Sequence, residues 1–262
     1  MLKRLFRSAA PVEPRAWAAP EGQRLYAIGD IHGRSDLLDD LLDQIGADDT
    51  ARSMAHTQLI FLGDLIDRGS DSRGVIERLM ALKAATPNAR FLKGNHEELF
   101  IRIWDGDTKA ASMFHRVGGR DTMLSYGVSE AEYDDADFNT LTALVSGRVP
   151  PEHIDFLRGF DDWIVAGDYL FVHAGIRPGI AIEDQRAGDL RWIRGEFTEF
   201  DGDHGMMVVH GHSITELIDV RTNRIGIDTG AFMSDALTAI GIENTDRWFL
   251  STSEAVVSAV SA

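Results

Sequence analysis

The chain has 262 residues, 44% hydrophobic and 26% charged, with 42 acidic side chains against 26 basic ones and no cysteine. Such a length fits one domain with a sizeable core, and such a composition belongs to a soluble globular chain, not a disordered or membrane-spanning one. A net charge of −16 lacks the basic footprint of a duplex binder, which excludes nucleic acid as a partner, and the absence of thiols excludes disulfides, thiolate nucleophiles and cysteine-held metals.

Residues 1–22 hold Pro11, Pro14 and Pro20 among alanines and charges and read as a flexible arm. Its start, Met1 to Arg7, is basic and amphipathic, but no signal-type apolar stretch follows and no run is long enough to span a bilayer. The expected location is the cytoplasm, with no membrane partner. A strand is predicted at Leu25-Tyr26-Ala27-Ile28, stopped by Gly29. Ser35 is predicted to cap a helix carrying Leu37, Leu38, Leu41, Leu42 and Ile45, and Gly46 to end it. The pattern repeats: a strand at residues 59–62, then a helix through Val75, Ile76, Leu79, Met80 and Leu82, halted near Pro87. Arg90-Phe91-Leu92 is a third strand, followed by a helix with Leu99, Phe100, Ile103 and Trp104. Alternation of this kind predicts an α/β fold with a mostly parallel sheet.

Residues 113–160 are irregular and helical, broken at Gly118-Gly119, Gly127 and Pro150-Pro151, and read as a helical insertion within one domain spanning 23–252. Strands resume at 169–172, 206–209, 225–227, 237–242 and 248–250. The short turns between the last of them predict antiparallel pairing, and residues 253–262 form a short tail.

Each main strand stops at a polar residue. The stops are Gly29-Asp30-Ile31-His32-Gly33, then Gly63-Asp64-Leu65-Ile66-Asp67-Arg68-Gly69, then Gly94-Asn95-His96-Glu97, and later His173-Ala174-Gly175 and His210-Gly211-His212-Ser213. Ligands of open α/β sheets bind beyond the carboxyl ends of the strands, so these segments are expected to converge. Chemically they form a cage for cations. Asp30 and His32 lie two apart, so an extended backbone points both the same way and lets them share one ion. Asp64 is placed to bridge two ions, with Asn95, His173 and His212 supplying the second. Two cations roughly 3.5–4 Å apart clamp the attacking and leaving oxygens of a phosphoryl displacement and deprotonate a water between them. With only oxygen and nitrogen donors, Mn²⁺ is the first expectation, and Fe or Zn also fits.

In that order, GDIHG, GDLIDRG, GNHEE, FVHAG and HGHS resemble the signature blocks of the calcineurin-like metallophosphoesterase superfamily. The GDxxDRG and GNHE blocks are similar to its phosphoprotein phosphatase family, and Ile176 to Gly179, Leu190 to Arg194 and Ile227 to Ala231 resemble the bacterial Ser/Thr phosphatase branch. The resemblance covers about Leu25 to Ile242. It implies an αββα sandwich of two mixed sheets flanked by helices, and a binuclear metal centre that uses a bridging hydroxide as nucleophile. It further implies His96 as general acid, Asp67 as the carboxylate that orients it, and Arg68 and Arg194 as the arginines that grip phosphate. Extended geometry would put His210 and His212 on the same side; family blocks place the ligand at His212, with His210 a supporting neighbour. A phosphoprotein or phosphopeptide is the expected substrate. The alternatives are a symmetrical diadenosine tetraphosphate hydrolase, acting on a nucleoside polyphosphate, and an inactive phosphate-binding module of the same fold. Glu97 is expected to orient its loop or start the following helix. Asp228 reads equally as a support for the ligands or as a backbone-bonding turn residue. His56, His115, His153 and His204 read as surface or local structure, and Arg73, Arg78 and Arg90 as solvated charges.

Overall fold

The computed structural model describes residues 16–260. Two five-stranded mixed sheets face each other. The first has the order β10-β9-β1-β2-β3, built from β1 (Gln23–Ile28), β2 (His56–Phe61), β3 (Arg90–Phe91), β9 (Thr238–Glu243) and β10 (Asp246–Ser251). The second, β4-β5-β6-β8-β7, holds β4 (Trp163–Ala166), β5 (Tyr169–Val172), β6 (Met207–His210), β7 (Asp219–Val220) and β8 (Arg224–Gly226). β1, β2 and β3 run parallel, as do β5, β6 and β8, while β9 with β10 and β4 and β7 add antiparallel edges. The parallel sheet expected from strand–helix alternation is therefore the centre of two mixed ones.

Side chains alternate across each strand, and the alternation builds three cores. Leu25, Ala27, Ile60, Leu62, Tyr169, Phe171, Val209, Ile225 and Ile240 fill the space between the sheets. Tyr26, Ile28 and Phe61 point the other way, into the helices on the first sheet. Those helices are α1 (Ser35–Ala51), α2 (Ser72–Ala85) and α3 (Asn95–Trp104), followed by the insertion: α4 (Thr108–Val117), α5 (Gly119–Ser125), α6 (Glu130–Asp134), α7 (Phe138–Arg148) and α8 (Pro151–Arg158). Leu170, Val172 and Val208 point outward from the second sheet onto α9 (Ala187–Trp192) and α10 (Gly195–Thr198). Burial on both faces explains why these strands read as continuous apolar runs. The short helix α11 (Ala231–Ser234) and the terminal α12 (Glu254–Val260) complete the chain.

Several local expectations differ. α1 does not end at Gly46 but continues to Ala51. A glycine in a helix interior costs about 1 kcal/mol, and tertiary bonds beyond it offset that cost. Asp48 accepts from Tyr26 Oη (2.6 Å) and Trp248 Nε1 (2.9 Å), and Asp49 accepts from the buried Arg24 guanidinium (2.6 Å). Ser35 is the first helical residue, and its hydroxyl donates to Asp71 (2.6 Å) instead of capping. Residues 1–15 of the expected arm lie outside the described residues. Of the rest, Trp17 and Ala19 are buried against the inter-sheet core, and Ala19 N donates to Asn244 O (2.7 Å). Residues 254–260, read as tail, form α12 and bury Val256. No helix of the described residues is long and apolar enough to cross a membrane.

Candidate metal and phosphate site

The carboxyl ends of β1, β2 and β3 meet those of β5, β6 and β8 along one edge of the sandwich. Backbone bonds lock the loops together there. Ile31 and His32 N–H both donate to Asp64 O (3.1 and 2.9 Å), Gly33 N to Leu65 O (2.8 Å), and Gly211 N to His173 O (2.8 Å). Gly63 allows one of the close approaches: it adopts φ +101°, and a Cβ there would lie 2.7 Å from Gly94 N.

Strain concentrates at this edge. Among the described residues seven non-glycine positions have positive φ, and five of them are His32, Asp64, Asp67, Arg68 and His212. Such conformations persist only where surrounding bonds over-determine them, and they cluster at functional sites. They also correct the geometric premise for two pairs. Asp30 with His32, and His210 with His212, were expected to share a side because of extended backbone. His32 (φ 47°) and His212 (φ 62°) are left-handed instead. His210 keeps the strand parity of Val208 and turns outward, edge-on to Phe197 at 5.0 Å. The turn at His212 brings only that imidazole to the site.

All six expected ligands, with His96 and Asp67, are buried. The ligand atoms of Asp64, His173 and His212 lie within 4.8 Å of one another, as do those of His32, Asp64 and His96. Asp64 is common to both groups. His32 Nδ1 donates to Ile66 O and His173 Nδ1 to Leu62 O, each at 2.8 Å. With Nδ1 so bonded, the neutral rings present a bare Nε2, as in metal-ligating histidines, although at His173 burial is outweighed by Asp64, which raises the pKa. The bare nitrogens face acceptors: His173 Nε2 is 3.3 Å from Asp64 Oδ2 and 3.1 Å from Asn95 Oδ1, and His32 Nε2 is 3.8 Å from Asp64 Oδ2.

Lone pairs opposed in this way need a proton or a cation between them. The orphaned atoms point the same way. Asp30 Oδ1, His212 Nε2 and Asp228 Oδ2 are buried with no hydrogen-bond partner among the described residues, which is costly unless an ion completes them. Burial, then the neighbouring Asp228 and Asp64, holds the Asp30 carboxyl well above its usual range. Burial would also raise Asp64, but the His173, His96 and His32 rings outweigh it and hold the group well below normal. Burial drives His32 and His212 well down, towards the neutral form that binds metal. The residues present therefore fit a pair of divalent cations. Asp30 belongs to neither tight group, since its Oδ2 turns to accept from His212 N (2.9 Å).

Beside the cage, His96 Nδ1 donates to Asp67 Oδ2 (2.6 Å), while its Nε2 lies 3.3 Å from an Arg68 guanidinium nitrogen and 3.7 Å from Asp64 Oδ2. Burial opposes a charge on His96, but Asp64 and then Asp67 prevail and hold the imidazole above its usual pKa. The Arg68 guanidinium stacks over Phe232 at 4.7 Å. Arg194 is exposed beside the His212 loop, donating to His212 O (3.2 Å).

Sequence reading missed Phe232, whose ring also meets His32 edge-on at 5.5 Å; its one signal is an aromatic just after the last strand-end turn. Asp228 accepts from Gly230 N (3.0 Å), the backbone-bonding turn role expected of it, and its proximity helps raise the Asp30 pKa. His210 stays out, its pKa pushed down to about 4 by burial. His153 is buried against Tyr126 Oη (2.8 Å) in the insertion, whereas Arg73, Arg78 and Arg90 pair with Glu77, Asp39 and Asp161 away from the site.

Glu97 ties the second and third loops together. Its fully buried carboxylate accepts from Gly94 N (2.8 Å), Asp64 N (2.9 Å) and Leu65 N (2.8 Å). Glu97→Ala strands three buried donors, so a stability loss of about 3 kcal/mol or more is expected. Urea unfolding checks it, and an unchanged midpoint would show that the loops hold without this carboxylate.

Comparison with known proteins agrees with the geometry. A family model described as calcineurin-like phosphoesterase matches residues 23–216. A serine/threonine-protein phosphatase, BSL2 from Arabidopsis thaliana, is 36% identical over 95 residues, covering 36% of this chain and 9% of that protein. A symmetrical bis(5'-nucleosyl)-tetraphosphatase from Janthinobacterium sp. (strain Marseille) is 31% identical over 153 residues, 58% of this chain and 44% of its own. The asymmetrical bis(5'-nucleosyl)-tetraphosphatase PrpE from Oceanobacillus iheyensis is 25% identical over 235 residues, covering 82% and 87%. The chain thus spans less than half the length of the first two relatives and most of the third.

Proposed function

Because the chain belongs to the calcineurin-like phosphoesterase family, we propose that it is a metal-dependent phosphomonoesterase acting on phosphoserine and phosphothreonine in proteins or peptides. In this reading Asp30 and His32 hold one cation, Asn95, His173 and His212 hold the other, and Asp64 is shared. The donors are all oxygen and imidazole nitrogen, which suits Mn²⁺ first and Fe or Zn after it. When bound, such a pair supplies Lewis acidity towards phosphate oxygens and makes water nucleophilic at neutral pH.

The protein's own groups do the rest. Arg68 and Arg194 offer guanidinium donors to phosphate oxygens, offsetting charge that grows in the transition state. His96 delivers a proton from Nε2 to the departing oxygen, and Asp67 holds the ring and steadies its charge. That buried dyad is the observation that carries the reading. A serine or threonine alkoxide is a poor leaving group and needs the proton, whereas a nucleotide phosphate leaves without much help. Dinucleoside tetraphosphate hydrolysis is the second reading, favoured by the relative from Oceanobacillus that matches along most of both chains.

Parallel assays decide between them. The Mn²⁺-loaded protein is expected to turn over a phosphoserine peptide with higher kcat/KM than diadenosine tetraphosphate. A tenfold or greater preference for the nucleotide, on the order of 1.4 kcal/mol, reverses the order of the two readings. Failure to hydrolyse even para-nitrophenyl phosphate with metal present overturns both in favour of an inactive phosphate-binding module.

A further inference from the structure

The helical insertion reaches into the site. α4 and α5 join at Gly118, whose φ of +107° and bare Cα let the chain press against Arg68; a Cβ there would lie 2.7 Å from Arg68 Cγ. Arg68 N donates to Gly118 O (3.1 Å) and Arg68 Nε to Val117 O (3.3 Å). One turn further on, Thr122 is fully buried. Its hydroxyl donates to Asp67 Oδ1 (2.5 Å), accepts from Asp67 N (2.9 Å) and lies 2.9 Å from Ser72 Oγ, which also accepts from Asp67 N (3.0 Å).

Asp67 thus has its two oxygens divided. Oδ2 faces His96 Nδ1 at 2.6 Å, and Oδ1 is held by Thr122. A carboxylate with one oxygen pinned cannot rotate about its Cβ–Cγ bond without breaking a short bond in a dry site, so the other oxygen stays aimed at the imidazole. The pinned residue also holds a left-handed backbone (φ 72°), a conformation that needs such outside bonds to persist. We infer that Thr122 is a positioning residue for proton delivery by His96, and that the insertion supports the phosphate-cleaving machinery from behind. Arg68 receives the same support through Gly118 and Val117. The inference rests on the reading of His96 as proton donor given above.

The test is a leaving-group comparison, because a residue that acts through the acid matters for an alkoxide and little for an aryl oxide. Thr122→Val keeps the side-chain shape and removes the hydroxyl. With the Mn²⁺-loaded enzyme, its kcat on a phosphoserine peptide is expected to fall by about tenfold to a hundredfold, up to the bottom of the range for full loss of acid–base catalysis. KM and bound metal should change little, and the loss on para-nitrophenyl phosphate should stay below about threefold, since weak acid assistance suffices there. Thr122→Ser, which restores the hydroxyl, should recover the peptide rate. Equal losses on both substrates, or no loss on the peptide, overturn the inference in favour of a packing role.

Should Thr122→Val fail to fold, Thr122→Ala is read with the same substrate pair, since it leaves space beside the carboxylate instead of a methyl pressed against it. If neither folds, Thr122 is structural and the inference fails. His96→Asn run alongside separates the two claims. No alkyl–aryl split in that variant means that the reading of His96 has failed. A split there without one in Thr122→Val means that only the role of Thr122 has.

Discussion

Asp64→Asn is expected to lose metal and turnover together: the purified variant should retain well under one cation per chain, and hydrolysis of para-nitrophenyl phosphate should fall at least about a thousandfold, roughly 4 kcal/mol of transition-state stabilisation. The reason is that one carboxylate serves two groups. Asp64 Oδ2 lies 3.3 Å from His173 Nε2, 3.7 Å from His96 Nε2 and 3.8 Å from His32 Nε2. Of the other expected ligands, His32 belongs to one group and His173 and His212 to the other. Removing its charge leaves neutral imidazoles, two of them with bare nitrogens, around an amide that binds cations weakly. The substitution nearly preserves shape, and Oδ1 of an asparagine can still accept from His96 N, which now bonds Asp64 Oδ1 at 3.1 Å. Circular dichroism should therefore be native. A variant that still carries two cations by elemental analysis would sink the bridging role.

The second large effect is at His96, and it settles an ambiguity in the geometry. His96 shares a tight ligand group with His32 and Asp64, and its carboxylate-bonded Nδ1 is also what a metal ligand would have. Two observations favour the proton donor. Its Nε2 lies 3.3 Å from a guanidinium nitrogen of Arg68, the arginine read as gripping phosphate, so the ring reaches the substrate side of the cage. Asp64 and Asp67 also raise its pKa against the pull of burial, the direction a proton donor needs. Accordingly, His96→Asn is expected to keep its metal and to lose about 10² to 10³ in kcat on a phosphoserine peptide, within the range for a general acid. Loss of one cation in this variant would make His96 a ligand instead. An aryl phosphate is the wrong substrate for that comparison, because its good leaving group departs with little assistance.

The ligand loops were legible in the sequence for a local reason. Each apolar run must stop where the strand leaves the core, and a stop made of glycine plus carboxylate, amide or imidazole is visible without knowing what it faces. Asp30, His32, Asp64, Asn95, His173 and His212 were all singled out this way, and the fold buries all six at one edge of the sandwich, although the extended-backbone premise behind two of the pairs was wrong. What was illegible lay in long-range contact. Thr122 bonds Asp67 across 55 positions and looks like an ordinary helical threonine. Phe232 stacks on Arg68 from the far end of the chain. Gly46 promised a helix end that bonds from Tyr26, Trp248 and Arg24 overrode.

The sequence by itself determined the donor types, their order and the alternation that builds the sheets, because apolar periodicity and strand-end chemistry are written in neighbouring residues. Only the tertiary structure decided which way each donor faces. The positive φ of His32, Asp64 and His212 is imposed by backbone bonds between loops, among them Ile31 and His32 to Asp64 and Gly211 to His173, and it turns His212 inward while His210 follows its strand outward. A conformation that costs energy locally is held by contacts between distant segments, so no local pattern announces it.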